Sequence, residues 1–187
     1  MPIGQAKFGL LGGVADLGKL ELIETKTISS ASSAIFTSIE ESTYNVHFLT
    51  LNNVINSVDT TILRLRFYES GVEESASVYQ EAIQFGYSVN FFGEEKTTAQ
   101  DYLRATFASG NATNETSCSY TYFYNLGDSS KYSFTTMQHN TMDNLTRLIM
   151  GFGGGVLPQA STVDQIKLFV TSGTFSATAS LYGIAES

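Results

Sequence analysis

Cysteine is almost absent from this 187-residue chain. Cys118 stands alone, so no disulfide framework can close within the chain. A domain of this length buries roughly 70% of its unfolded surface and needs neither a disulfide nor a metal to hold its core. Basic clusters are missing as well. Ten Lys and Arg face 18 Asp and Glu, for a formal net charge of −8. The densest basic pair, Arg64 and Arg66, is followed by Glu69. Binding to a phosphate backbone draws on grouped Lys and Arg, so nucleic acid is not an expected partner. A membrane span needs about 20 consecutive apolar residues. The longest apolar run here, residues 148–157, is broken by four glycines, so no membrane partner is expected. The apolar stretch that follows Lys7 is short and also glycine-broken, unlike the continuous core of a secretion signal.

The motifs that carry chemistry are equally sparse. His47, His139 and Cys118 are the only imidazole and thiol groups, and none forms the close ligand pair of a zinc site. Cys118 lies among strand residues, where a free cysteine is expected to be a small buried hydrophobe. Calcium loops of the DxDxDG kind are missing. The stretch GVADLGK (13–19) matches half of a P-loop, but Leu20 stands where Ser or Thr would reach magnesium, and a strand pattern follows in place of a helix. The run GFGGG (151–155) lacks the sixth-position glycine and the βαβ frame of a dinucleotide fingerprint. It reads as a loop needing positive φ, or as a close backbone approach at a subunit axis. The adjacent pairs Glu40-Glu41, Glu73-Glu74 and Glu94-Glu95 cannot flank one glycosidic bond from a strand, because neighbours project to opposite faces. No catalytic, cofactor-binding or metal-binding residue is assigned, and the chain is read as non-enzymatic.

What is present is β-structure. With 42% apolar and 15% charged residues the chain is a folded protein of low charge density. Period-two alternation predicts strands over 20–28, 34–39, 44–51, 61–68, 102–107, 117–126, 132–138 and 145–152, with 153–158 as a loop. Residues 79–92 are aromatic-rich and ambiguous, and 79–84 permits a helical turn. Residues 163–184 alternate on both sides of Ser172-Gly173 and predict a closing β-hairpin. Roughly nine or ten short strands without an amphipathic helix indicate a β-sandwich or barrel. Residues 19–187 form that body. Residues 1–18 hold five of the 16 glycines together with Phe8, Leu10, Leu11 and Leu17, and read as an extended docking arm with those four side chains as anchors.

Tyr120, Tyr122 and Tyr124 share one strand face, and Phe123 between them leaves either face plausible, so the row reads as core or subunit interface, or as a stacking platform for sugars. The glycosylation patterns at Asn111, Asn114 and Asn144 also occur on many Asn- and Thr-rich surfaces and carry little weight.

Several phrases then coincide: LELIETKTISSASS (20–33), FTSI (36–39), YNVHFLTL (44–51), LRFYESG (65–71) and GTFSATASLYGI (173–184). Across residues 19–184 they resemble a jelly-roll module of tailed-bacteriophage virion proteins. The resemblance implies an all-β, antiparallel jelly-roll β-sandwich and a structural role: a capsid decoration (cement) protein, a head fibre, or a tail-fibre or spike domain, located in the virion. It implies a homotrimer whose partners are other virion proteins, such as the major capsid protein or tail components, and it implies no active-site residues and no cofactor. The alternative reading is a receptor- or glycan-binding module of a tail fibre or spike, with a host surface glycan as ligand.

Overall fold

Alternating residues at period two place one side of a strand in a core and the other outside, as Arg64–Glu69, Ser117–Tyr124 and Ser133–Met142 show. The computed structural model describes residues 19–185, and the strands within them are β1 (Leu20–Ala31), β2 (Ser33–Phe36), β3 (Val46–Asn56), β4 (Arg64–Glu69), β5 (Val72–Glu73), β6 (Tyr79–Tyr87), β7 (Phe91–Gln100), β8 (Leu103–Arg104), β9 (Ser117–Tyr124), β10 (Ser133–Met142), β11 (Leu148–Leu157), β12 (Val163–Phe169) and β13 (Phe175–Ile184). No helix occurs among the described residues. The docking arm with Phe8, Leu10, Leu11 and Leu17 lies outside them.

The strands form two antiparallel sheets. One has eight strands in the order β1-β13-β3-β9-β10-β11-β6-β7. The other runs β2-β12-β4-β5, with β8 paired to β4. Leu65 and Phe67 of β4 and Ile166 and Leu168 of β12 are buried with Leu49 and Leu51 of β3, Phe123 of β9 and Ala179 and Leu181 of β13. The two sheets therefore enclose one core, as in a β-sandwich. Each Leu, Ile and Phe among these side chains contributes about 1.5–3 kcal/mol of burial free energy. Tyr79 joins them fully buried, its hydroxyl accepting from Phe67 N at 3.0 Å and donating to Glu74 O at 3.1 Å. The wider sheet extends past the core on β10, β11 and β6, where Ile83, Met137 and Ile149 pack on Phe107.

Four expectations need correction. Segments 163–169 and 175–184 are strands with a turn at Gly173 (φ 68°), but they are not a hairpin. β12 pairs with β2 and β4 in one sheet, and β13 with β1 and β3 in the other. Alternation assigns faces and is silent on partners, so a turn that crosses between sheets looks the same as one that stays within a sheet. Residues 79–84 are strand, not helix, tied to β11 and β7. The glycines at 153–155 continue β11 with φ outside the left-handed region, instead of looping. Their role is close approach: a Cβ on Gly153 would stand 2.2 Å from Ala82 O, and one on Gly155 2.5 Å from Leu103 Cδ2. Finally, Cys118 is exposed.

Candidate interaction face

In β9, Ser117, Ser119 and Thr121 point inward and are buried, while Cys118, Tyr120, Tyr122 and Tyr124 point outward. β10 repeats the arrangement. Ser133, Thr135, His139 and Thr141 are buried, and Phe134 faces out at 44% exposure. An ordinary amphipathic strand hides apolar side chains and wets polar ones. These two strands largely reverse that rule, Phe123 and Met137 excepted, and put their aromatic rings outside.

Antiparallel pairing assembles the outward positions into cross-strand rows. Tyr122 stands between Phe48 of β3 and Thr136 of β10. Tyr120 stands between Thr50 and Gln138, and Phe152 of β11 follows Gln138 in the same row. Tyr124 lies between Val46 and Phe134. The Phe48 ring is 4.6 Å from that of Tyr122, 5.9 Å from Tyr120 and 6.2 Å from Tyr182 of β13. Tyr122 and Tyr124 stack at 6.5 Å with a 22° interplanar angle. The Tyr120 hydroxyl donates to Gln138 Oε1 at 2.8 Å, and the Tyr124 hydroxyl pairs with Thr136 Oγ1 at 3.2 Å. The three tyrosines are thus brought together along the sheet, with the hydroxyls of Tyr120 and Tyr124 tied sideways.

The electrostatics of this face are set by omission. β13, β3, β9, β10 and β11 contain no Asp, Glu, Lys or Arg, and the single charge of β6, Glu81, is buried. Charges return on the edge strands, in the pairs Glu24–Lys26 of β1 and Glu94–Lys96 of β7. Charged edges discourage strand addition by another chain. Depressions open on the same face. One, a groove of about 690 Å³, is floored by Ala82, Gly154 and Gly155 and walled by Phe134 and Val156 on one side and Lys96 and Thr98 on the other. A second, of about 450 Å³, lies beside Phe92 and Phe152.

The titratable groups behind the face are engaged in structure. Glu81 accepts from Arg104 N at 2.7 Å, from Arg104 Nη1 at 3.1 Å and from Gln100 Nε2 at 3.2 Å, and burial pushes its carboxyl up. His139 stacks on Phe107 at 4.9 Å, and its ring occupies the space left by Gly151, where a Cβ would stand 2.3 Å from Nε2. Burial, with the Arg104 charge adding to it, lowers its pKa to about 4. His47 is also lowered by burial, and its Nε2 bonds Ile39 O at 2.8 Å. The glutamate pairs are similarly committed. Glu73 takes Arg66 at 2.8 Å and Lys167 at 2.7 Å, Glu94 takes Lys96, and Glu95 takes Arg104 at 3.3 Å. No group of three or more His, Cys, Asp or Glu among the described residues is placed to hold a metal ion.

Sequence reasoning found the tyrosine row but missed Phe48, Phe134, Phe152 and Tyr182. Phe134 was legible, since it alternates with buried Ser133 and Thr135. The others depend on pairings between strands distant in the chain. Fold and face together define an antiparallel two-sheet β-protein with one neutral, aromatic outer surface. No protein-family model, curated protein or solved structure matches the chain.

Proposed function

We propose that this chain is a non-enzymatic structural protein of a bacteriophage virion, a capsid decoration protein or short fibre subunit that works by docking on other protein subunits. The observation that carries the docking role is the reversed pattern of β9 and β10: small polar side chains inward, Tyr and Phe outward, on strands without a formal charge. Soluble monomers rarely leave a contiguous apolar patch of several hundred Å² uncovered, and aromatic side chains with few charges characterise interface centres. The virion assignment rests on the sequence resemblance and on a nested order of pairing. β1 pairs with β13, β2 with β12, β3 with β9 and β4 with β8. An antiparallel hairpin rolled up on itself gives that nesting, so we read the sandwich as a jelly roll in which β6–β7 and β10–β11 are insertions widening one sheet. Partners are other virion proteins, and residues 1–18 act as the arm that reaches them. Co-sedimentation with purified particles tests the reading. The full chain is expected to pellet with particles, and a form lacking residues 1–18 or carrying Tyr122→Lys is expected to remain in the supernatant. Equal pelleting of all three forms would remove it.

The groove favours one second reading, a glycan-binding module. Phe134 and Val156 line one wall and Gln80, Lys96 and Thr98 supply polar groups, a mixture that suits a sugar ring. Tyr120, at 39% exposure, is open to a ligand. A glycan array probed with the full chain decides between them. Saturable hits that vanish in Phe134→Ala favour the glycan module, and an array without hits leaves the docking role alone.

A further inference from the structure

The relief of the neutral face has a direction. In the row Phe48–Tyr122–Thr136–Gly154–Ala82, two large rings stand on one side of β10 and the two smallest side chains on the other. The adjacent row, Val46–Tyr124–Phe134–Val156–Gln80, also carries its tyrosine on the β9 side, and the groove of about 690 Å³ opens on the β11 and β6 side. A ridge and a trough thus lie at equal strand distances to either side of β10, about 10 Å out at a strand spacing of 4.8 Å.

We propose, resting on the assembly reading above, that the occupant of this face is a second copy of the chain, related by a two-fold axis running along β10. A two-fold with that direction keeps each cross-strand row at its own level and exchanges its ends. Tyr122 of one copy then lies over Gly154 of the other, and Phe48 over Ala82, large over small on both sides of the axis. Tyr124 meets Val156. Tyr120 meets Phe152, two flat rings in the form of contact that aromatic pairs favour. Self-complementarity of this kind is what a closed two-fold interface requires. Charge points the same way. Two copies of net charge −8 repel, and this face is where they can meet without burying an unpaired ion, because its strands hold no Asp, Glu, Lys or Arg apart from the enclosed Glu81. The five central strands offer about 24 Å by 30 Å, roughly 700 Å² per copy, close to the ~800 Å² per partner of a standard specific interface. The pairing is two-fold, in place of the trimer that the resemblance implies.

The test uses the full chain in sedimentation equilibrium up to the order of 100 μM, where a micromolar dimer is saturated. A dimer is expected. Phe48→Lys and Ala82→Glu, both outward positions, are each expected to weaken it at least tenfold, since each homodimer buries two lone charges. Mixed in equal amounts they are expected to regain it, because one Lys–Glu contact and one native Phe48–Ala82 contact then form. Thr136→Cys in a Cys118→Ser background sits on the axis and is expected to cross-link to itself with a short bismaleimide, whereas Ser75→Cys, away from the face, is not. A monomer at the highest concentration, a trimer, a mixture that fails to regain the dimer, or cross-linking at Ser75→Cys alone would each overturn the two-fold pairing. A chain that is monomeric yet pellets with particles removes the pairing and keeps the assembly role, and a dimer that ignores particles does the reverse.

Discussion

The two sheets present opposite kinds of outer surface. On the smaller sheet, Arg66 of β4 pairs with Glu73 and with Asp101, Lys167 of β12 pairs with the same Glu73, and the rings of Phe169 and Tyr102 lie under guanidinium groups. Its inner side is Leu65, Phe67, Ile166 and Leu168. That is the usual division, apolar within and ionic without, of a surface that remains in water. On the larger sheet, β9 and β10 turn Ser, Thr and His inward and Tyr and Phe outward. Hydrophobic burial on this sheet is incomplete in the single chain, and the proposed pairing would complete it.

The largest effect is expected behind the neutral face. Glu81 and Arg104 form an ion pair with side-chain exposures of 3% and 11%. Glu81→Ala leaves the buried Arg104 guanidinium with only the half-exposed Glu95, at 3.3 Å, and is expected to lower stability by about 3 kcal/mol in denaturant unfolding. His139 adds a pH signature. Folding lowers its pKa to about 4, so the unfolded chain binds this proton more readily than the folded one. Stability is therefore expected to fall as pH drops from about 6.5 to about 4, by roughly 3 kcal/mol in all. His139→Phe should flatten that part of the profile, as measured by thermal melts across the range. On the ionic face, Glu73 is held low by its bonds from Arg66 and Lys167, which outweigh its burial. Its contribution is present above the ordinary glutamate range and is lost as pH falls below it. Glu73→Ala is expected to cost about 1 kcal/mol at neutral pH and less at high salt, since partly exposed networks are screened. Smallest for stability is Tyr122→Ser, expected within about 1 kcal/mol of the parent in dilute solution, because the removed ring faces outward. Its effect should appear instead as lost association, and a large loss of stability without that change would reverse the roles given to the two faces.

Much of the body was legible because alternation reports on faces. Leu65 and Phe67 inside and Arg64 and Arg66 outside followed from period two, and β3 as an interior strand followed from apolar residues on both of its faces. The partners of each strand did not follow, since pairing is decided between segments far apart in sequence. β12 and β13 were expected to pair with each other and instead close different sheets. The glycines of β11 look like a loop until Ala82 and Thr135 are seen to crowd them. The neutral face was half legible. Tyr120, Tyr122 and Tyr124 declared themselves, while Phe48, Phe152 and Tyr182 needed the register to join them. The reversal in β9 and β10 was hidden because alternation of small polar with aromatic residues invites the opposite orientation.

The claim that the larger sheet's outer face is covered by another subunit is tested most directly by hydroxyl-radical footprinting of the full chain, dilute and concentrated. The account predicts that oxidation at Tyr120, Tyr122, Phe134 and Phe152 falls with concentration while Tyr68 and Tyr102, beside the ionic face, keep their rates. Unchanged labelling of the tyrosine row, or equal protection of both faces, would contradict it.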